Sequence, residues 1–143
     1  MVQITADVLR QIKEHGERDY PHECGGMLIG SFKPDPGHFV TEIFPLENAR
    51  EDEARHNRVL ILPKDVMRAE RHARENGLDI IGYYHSHPDH PAVPSQYDLD
   101  HALPVWSYMI VSVMKGRAGD VRSWVMENDR SKFNEEKIQI GEQ

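Results

Sequence analysis

The chain has 143 residues, of which 38% are hydrophobic and 29% are charged, and its formal net charge is −7. This length favours one domain over residues 1–143, the composition excludes a disordered chain, and the acidic balance argues against nucleic acid as a partner, because phosphate backbones require a basic surface. No apolar run approaches the roughly 20 residues that cross a bilayer, and the N-terminus lacks a signal-peptide pattern, so we expect a cytoplasmic protein without a membrane partner.

The first third of the chain predicts one helix followed by two strands. Residues 5–17 place apolar side chains at helical spacing, and Thr5 is suited to cap the first turn. Residues 24–32 form a short apolar run, and residues 38–48 alternate roughly between apolar and polar side chains. These two segments predict strands joined by a turn that contains proline and glycine.

The middle of the chain predicts a strand, a helix and a further strand. Residues 57–63 form an apolar run that is typical of a strand. Pro63 then opens a helix over residues 64–76, and Gly77 closes it at the usual position just past a helix end. Residues 78–87 predict a strand that is apolar until it reaches two histidines.

The last third of the chain predicts a loop, a short helix and a final group of strands. Three prolines interrupt regular structure before this helix: Pro88, Pro91 and Pro94. The helix spans residues 95–103, a hairpin follows over residues 106–114 and 120–127, and residues 135–140 predict an edge strand. The fold class is therefore α/β, with a mostly antiparallel, mixed β-sheet flanked by helices.

Four of the nine histidines lie between residues 82 and 102, which raises the question of a metal site. His85 and His87 are two residues apart on a strand, so both imidazoles project from one face with their β-carbons roughly 6–7 Å apart. Asp98 can supply a third ligand, which would leave a fourth tetrahedral position for water, as in catalytic zinc sites. Iron and manganese accept the same ligand types. With a single cysteine in the chain, any metal must be held by histidines and carboxylates.

Taken alone, these residues also have simpler interpretations. A His pair at a strand end can be a hydrogen-bonded pair at the surface. Ser95 and Asp98 are spaced as a helix capping box, in which each side chain accepts a hydrogen bond from the other residue's backbone N–H. Ser95 could do both, capping the helix through one lone pair while its hydroxyl points at the site.

The complete spacing decides between these interpretations, because it resembles a known signature. His85-Ser86-His87 is followed by seven residues, then Ser95, two residues and Asp98, which is similar to the motif of the JAMM (MPN+) metallopeptidases. Glu23, in "PHECGGMLIG", stands where that family has its upstream glutamate. The resemblance runs from Glu23 to Trp124 and is closest to the short stand-alone bacterial and archaeal members. It implies the JAB1/MPN fold, which is of the cytidine-deaminase-like kind.

The resemblance also implies a role for each motif residue. His85, His87 and Asp98 would hold Zn²⁺. Glu23 would be the general base that takes a proton from the attacking water and passes it to the leaving amine. Ser95 would donate a hydrogen bond to the oxyanion, and one such donor is typically worth about 3–4 kcal/mol.

Cys24, beside His22, raises the separate possibility of a cysteine nucleophile. Neighbouring residues on a strand point to opposite faces. If Glu23 faces the metal, Cys24 should therefore face the core. His90 and His101 are expected at solvated positions, and Trp124 in an apolar strand is expected in the core.

The function implied by the resemblance is hydrolysis of an amide bond after the C-terminal Gly-Gly of a ubiquitin-like sulfur-carrier protein, by a zinc-dependent peptidase or isopeptidase. One alternative is a zinc hydrolase acting on a nucleobase or related to a DNA-repair protein. The cysteine-rich ligand set of the deaminases is absent, and the DNA-repair relative carries Asn where this chain has Ser86. A non-enzymatic MPN interaction domain is a further alternative. The oligomeric state stays open, with a homodimer as one possibility.

Overall fold

The structure is a computed structural model that describes residues 1–33, 37–47 and 63–141. Its helices are Ala6–Asp19 (α1), Pro63–Glu75 (α2) and Gln96–His101 (α3). Its strands are Val2–Thr5 (β1), Gly25–Phe32 (β2), His38–Leu46 (β3), Asp79–Pro88 (β4), Ser107–Met114 (β5), Arg117–Met126 (β6), Phe133–Glu136 (β7) and Ile138–Gly141 (β8). Within these ranges, no helix is long and apolar enough to cross a membrane.

The strands form one mixed sheet in the order β7-β6-β5-β4-β2-β3-β1-β8. The pairs β2–β3, β2–β4, β5–β6 and β6–β7 are antiparallel, whereas β1–β3, β1–β8 and β4–β5 are parallel. The α/β class and the mostly antiparallel sheet predicted from the sequence are confirmed. The strand predicted at residues 57–63 lies outside the described residues, except that Pro63 is the first residue of α2.

The ends of the two longer helices follow from local chemistry. Thr5 caps α1, because its side chain accepts a hydrogen bond from the Val8 N–H at 3.2 Å. Helix α1 continues to Asp19, two residues beyond the predicted end. Pro63 begins α2 as predicted, and Gly77 follows it with φ +70°, a conformation that glycine adopts without a steric cost.

Strand β1 and the C-terminal strands β7 and β8 differ from what the sequence predicts. Strand β1 was not predicted, because only the alternation of buried Val2 and Ile4 marks it. Residues 135–140 were predicted as one edge strand, but Lys137 separates two strands there, β7 and β8. These two strands pair at opposite edges of the sheet, β7 with β6 and β8 with β1. Neither pairing has a local signal.

Two smaller corrections concern β4 and the hairpin. Strand β4 runs through Pro88, which pairs with Val113, although proline was expected to end regular structure there. The hairpin turn has two residues rather than five, because β6 already begins at Arg117. Lys115 and Gly116 both have positive φ, as a type I′ turn requires.

A β-bulge in β4 sets which side chains face the candidate site. Leu28 pairs with Gly82 while the next residue, Ile29, pairs with Ile80, so Ile81 is an extra residue in β4. The bulge reverses the alternation of side chains along the strand. Tyr83 consequently packs on the same face as Ile80, beside α2, rather than with Ile81.

Two hydrophobic cores lie on the two faces of the sheet. Helix α1 packs on one face through Val8 and Ile12, against side chains that include Tyr84. Helix α2 packs on the other face through Ala69 and Ala73. We call these the α1 face and the α2 face. The histidines at the end of β4 alternate with Tyr84 and therefore belong to the α2 face.

Candidate metal centre

His85, His87 and Asp98 meet at the end of β4. The Nε2 atoms of the two histidines are 3.2 Å apart. The Asp98 carboxylate places Oδ1 at 3.2 Å from His85 Nε2 and Oδ2 at 3.4 Å from His87 Nε2. Ligand atoms about 2.0–2.1 Å from a tetrahedral zinc stand about 3.3–3.4 Å from one another, so this donor set fits zinc in both type and spacing.

The partners of His87 define which of its ring atoms is free to bind a cation. Its Nδ1 lies 3.0 Å from the carbonyl oxygen of Pro91, and a carbonyl only accepts, so Nδ1 carries the proton in the neutral ring. Nε2 then presents a lone pair towards His85 and the Asp98 carboxylate. A lone pair aimed at a carboxylate is unfavourable unless a cation or proton lies between them. Metal-binding histidines commonly donate their other ring N–H to a backbone carbonyl, as His87 does here.

Asp98 is held in place by the first turn of α3. Its backbone N–H donates to Ser95 Oγ at 3.2 Å, and its Oδ2 accepts from the Ser95 N–H at 2.8 Å. Burial alone would raise the pKa of this carboxyl, but the charge of His85, the hydrogen bond from His85 and that from the Ser95 N–H hold it well below its usual range. The carboxylate is therefore ionised at neutral pH.

The imidazole of His85 experiences the same negative charge. Burial works to lower the pKa of His85, but the charge of Asp98 and its hydrogen bond, together with the charge of Glu23, raise it overall. Its Nδ1 is buried and has no hydrogen-bond partner in the described part of the chain. The centre thus favours a positive charge among its side chains.

Glu23 lies beside the histidines because β2 and β4 pair up to this point. Gly25 pairs with His85, and the Cys24 N–H donates to Ser86 Oγ at 2.8 Å. Glu23 is buried, and one of its carboxylate oxygens lies within 4.8 Å of a ring nitrogen of each histidine. Glu23 could therefore itself complete a set of three ligands. The shorter distances to Asp98 favour Asp98 as the ligand and leave Glu23 adjacent to the centre.

Cys24 faces away from this centre, as strand alternation predicts. It is fully buried in the core of the α1 face, and burial raises the pKa of its thiol to about 12. A thiol in this state supplies almost no thiolate at neutral pH. This placement gives no support to a cysteine nucleophile.

Ser95 lies at the exposed N-cap of α3. Its oxygen accepts the bond from the Asp98 N–H, which leaves the hydroxyl proton to donate elsewhere. Its two expected uses, as a cap and as a donor, are thus compatible. His90 and His101 are exposed, in agreement with their predicted solvated positions.

Residues that sequence reasoning did not assign to the site hold the loop between His87 and Ser95. Ser112 donates to the His90 carbonyl at 2.6 Å, and Trp124 Nε1 donates to the Ala92 carbonyl at 3.1 Å. Trp124 was expected in the core but is half-buried. The signal that could have identified it is chemical, because an indole N–H needs a partner when it leaves water.

Arg130 holds the other end of α3. Its guanidinium donates to the carbonyls of Ala102, Leu99 and Asp100, at the C-terminal end of the helix. A helix of six residues has little stability of its own. The capping box and Arg130 together therefore fix the helix that carries Asp98.

A cavity of about 330 Å³ adjoins the centre on the α2 face, and we call it the apolar pocket. Glu23, His85 and Asp98 line one end of it. The remainder is lined mainly by apolar and aromatic side chains from β2, β4, β5 and the segment before β5, which include Met27, Tyr83, Leu103, Trp106 and Tyr108.

Solved structures share this fold over nearly the whole chain. A protein from Desulfitobacterium hafniense matches with a TM-score of 0.86 at 27% identity, covering 100% of this chain and 94% of its own. A protein from Salinibacter ruber matches with a TM-score of 0.76 at 38% identity, covering 97% and 91%. A JAB1/MPN domain protein from Archaeoglobus fulgidus has a TM-score of 0.61 at 18% identity, covering 99% and 98%, and so shows the fold alone.

Three relatives whose names state an activity are 26–30% identical to this chain. A desampylase from Haloferax volcanii is 30% identical over 107 residues, which is 73% of either chain. A desampylase from Pyrococcus furiosus is 26% identical over 78 residues, which is 54% of this chain and only 53% of that protein. A probable TtuB-protein conjugate cleaving protease from Thermus thermophilus is 27% identical over 99 residues, which is 69% of this chain and 62% of that protein.

The family assignment follows from a match to a family model. A family model described as prokaryotic homologs of the JAB domain matches residues 5–127. That range contains β2 to β6, all three helices and each residue of the candidate centre. With this match and the JAB1/MPN fold, the chain belongs to the prokaryotic JAB family.

Proposed function

We propose that this protein is a zinc-dependent peptidase or isopeptidase that hydrolyses the amide bond after the C-terminal Gly-Gly of a ubiquitin-like sulfur-carrier protein. It would act as one cytoplasmic domain. The observation that carries the proposal is the convergence of His85, His87 and Asp98 at tetrahedral spacing beside the buried Glu23. The names of its relatives support the substrate class, since two are desampylases and one is a probable protease of TtuB-protein conjugates.

His85, His87 and Asp98 would hold one zinc ion. Bound zinc supplies Lewis-acid chemistry, which activates water and polarises a carbonyl. The fixed tautomer of His87 and the capped carboxylate of Asp98 keep both ligands oriented before substrate arrives. Preorganised ligands of this kind keep the geometry of the site within narrow limits.

Glu23 and Ser95 would carry the proton transfer and the charge. The Glu23 carboxylate takes a proton from the attacking water and delivers it to the nitrogen of the leaving amine. The Ser95 hydroxyl donates a hydrogen bond to the carbonyl oxygen as negative charge develops on it. The bond that breaks is the amide C–N bond, and the products are a carboxylate and an amine.

A glycine tail suits the approach to this centre. The loop between His87 and Ser95 contains prolines and is fixed by hydrogen bonds from Ser112 and Trp124, so it forms a stiff wall beside the centre. Glycine lets a backbone approach such a wall without a side-chain clash. An extended tail can also pair its backbone with a strand edge.

The test combines metal analysis with a carrier substrate. Protein purified without added metal should contain about one zinc per chain. It should also cleave a ubiquitin-like carrier that ends in Gly-Gly plus an extension, with product masses that place the cut just after the second glycine. A carrier with Ala-Ala in place of Gly-Gly is the matched control and should be cut far more slowly.

Three results would redirect the proposal. An intact carrier together with cleavage of unrelated peptides would retain the peptidase and remove the carrier. Zinc binding without any peptidase activity would favour a hydrolase for another substrate. No zinc, even after its addition, would favour the non-enzymatic interaction domain.

A further inference from the structure

We propose that the apolar pocket binds the side chain of the substrate residue that follows the scissile bond, and that this side chain is large and apolar. The inference rests on the proposed function and deepens it, because it names what lies on the leaving side of the bond. What supports it is the difference between the residues that line two cavities, each of which has Glu23 in its lining.

The chemistry of the pocket selects the class of side chain. Tyr83 and Tyr108 pack edge to face with their ring centroids 6.4 Å apart, and the Trp106 ring lies 6.3 Å from Tyr108. Such an aromatic group offers large apolar contact area to an aliphatic or aromatic side chain. A charged side chain placed against these three rings would lose its hydration without gaining an ion pair from them.

The segment before β5, which forms the rim of the pocket, is held in a fixed conformation. The Leu103 N–H donates to the Tyr108 hydroxyl at 2.6 Å, although the Leu103 side chain remains half exposed. Val105, beside Trp106, has φ +79°, which a β-branched residue rarely adopts. Strained backbone of this kind persists where surrounding structure fixes it, often beside ligands.

A second cavity, on the other side of Glu23, has the opposite character. Its volume is about 670 Å³, and its lining is largely polar and includes Arg18, Asp19 and Glu47. An extended glycine tail has no side chains and leaves its backbone N–H and C=O groups in need of partners. The polar cavity can supply such partners, whereas the apolar pocket cannot.

These two cavities give the substrate a direction. The glycine that carries the scissile carbonyl has no side chain to place in a pocket. The apolar pocket begins at His85, Asp98 and Glu23, so the side chain it takes belongs to a residue next to the reacting bond. That residue is the one whose nitrogen receives the proton from Glu23.

The experiment is a set of carriers that end in Gly-Gly-X, in which X is Phe, Leu, Ala, Glu or Lys. We expect kcat/KM to be on the order of ten- to a hundredfold higher for Phe and Leu than for Ala, which is the range that apolar pockets usually discriminate. Leu103→Asp and Trp106→Ala should reduce this ratio to a few-fold, because they should lower kcat/KM for the Phe and Leu carriers more than for the Ala carrier. Met114→Ala, at an exposed apolar position of β5, is the matched control and should keep the ratio.

A binding measurement separates this inference from the proposed function. L-Phenylalanine amide, which represents the leaving amine, should bind the zinc-loaded protein in ligand-observed NMR, and L-alanine amide should bind far more weakly. Leu103→Asp should abolish that difference. If no carrier is cleaved but phenylalanine amide binds in this way, the proposed function fails and the pocket stands.

Two outcomes overturn the inference itself. If carriers are cleaved after Gly-Gly at equal rates for all X and phenylalanine amide shows no preferential binding, the proposed function stands without this pocket. A preference for Phe that neither Leu103→Asp nor Trp106→Ala reduces would place the discrimination elsewhere.

Discussion

Buried histidines occur on both faces of β4, and their partners differ. On the α1 face, His15 places Nδ1 at 2.7 Å from the Tyr84 hydroxyl and Nε2 at 3.3 Å from the Asp19 carboxylate. On the α2 face, the Nε2 atoms of His85 and His87 converge on each other and on Asp98. The first ring has a protein partner at each nitrogen, whereas the second pair leaves a place for a cation.

The pKa values of His15 and His85, one on each face, also shift in opposite directions. Burial lowers the pKa of His15, although Asp19 partly opposes it. The pKa of His85 is raised, because Asp98 outweighs an even deeper burial. Burial alone therefore does not distinguish a structural histidine from a candidate ligand. The groups that the ring nitrogens face distinguish them: His15 faces a hydroxyl and a carboxylate, whereas His85 and His87 face each other and Asp98.

The largest effect should come from removing a ring on either face. His85→Ala should lose the metal and reduce activity to background, because the remaining ligands cannot hold zinc alone. His15→Ala should keep the metal but lower the free energy of unfolding by about 1–3 kcal/mol, since it leaves the Tyr84 hydroxyl buried without its partner. Elemental analysis and urea unfolding of both variants measure the two effects. Retention of zinc in His85→Ala would contradict the assignment of His85 as a metal ligand.

The next effect should separate a base from a ligand within the α2 face. Glu23→Gln keeps the shape of the side chain but removes its basic oxygen, so turnover should fall by about 10²–10⁴ while zinc stays near one per chain. Single-turnover cleavage and metal content of the same preparation provide the measurement. If zinc is lost with the activity, Glu23 is a ligand and the choice of Asp98 over Glu23 is wrong.

Ser95 should show a smaller effect with two parts. Ser95→Ala should lower kcat by about 10²–10³ with little change in KM, as expected for a donor used mainly in the transition state. It should also cost about 1 kcal/mol of stability through the lost cap. Ser95→Thr retains the hydroxyl and should recover most of both losses. Equal activity of the Ala variant and the wild type would leave Ser95 as a cap alone.

At neutral pH the smallest effect concerns the thiol behind the site, on the α1 face. The pKa of Cys24 is raised to about 12 in the folded chain, against about 8.5 for a free thiol. The raised value means that its contribution to stability is fully present below pH 8.5 and is lost as the pH rises towards 12. The difference in urea midpoint between wild type and Cys24→Ala should therefore shrink over that range.

Two further measurements check the same assignment of Cys24. A thiol reagent at pH 8 should label Cys24 only after unfolding. The Cys24→Ala variant should retain zinc and activity, and a loss of turnover with the metal retained would revive the cysteine nucleophile.

The sequence predicted what depends on short spacing. The Thr5 cap, the Pro63 start of α2 and the separation of Glu23 from Cys24 by strand alternation all follow from neighbouring residues. The grouping of His85, His87 and Asp98 was expected from a motif spanning 14 residues. Local rules and the motif therefore account for most of the candidate centre.

The features that were missed depend on distant parts of the chain. The bulge at Ile81 decides which face the histidines occupy, and it is visible only once β2 is paired with β4. Arg130 reaches α3 from about 30 residues away, and Trp124 reaches the Ala92 carbonyl from 32 residues away. The surroundings of the candidate centre, and the face on which its histidines lie, are therefore fixed by tertiary contacts.

The division of the C-terminal segment at Lys137 has a consequence for the order of folding. Strand β1 has its outer partner in β8, so the first described strand to leave the ribosome is completed by the last. Contacts so far apart in sequence form slowly, because the intervening chain must first be ordered. Until β8 is made, the backbone groups along that side of β1 have no strand to pair with, and an unpaired edge invites association between chains. We therefore expect chains that lack β8 to associate with one another more readily than chains that contain it.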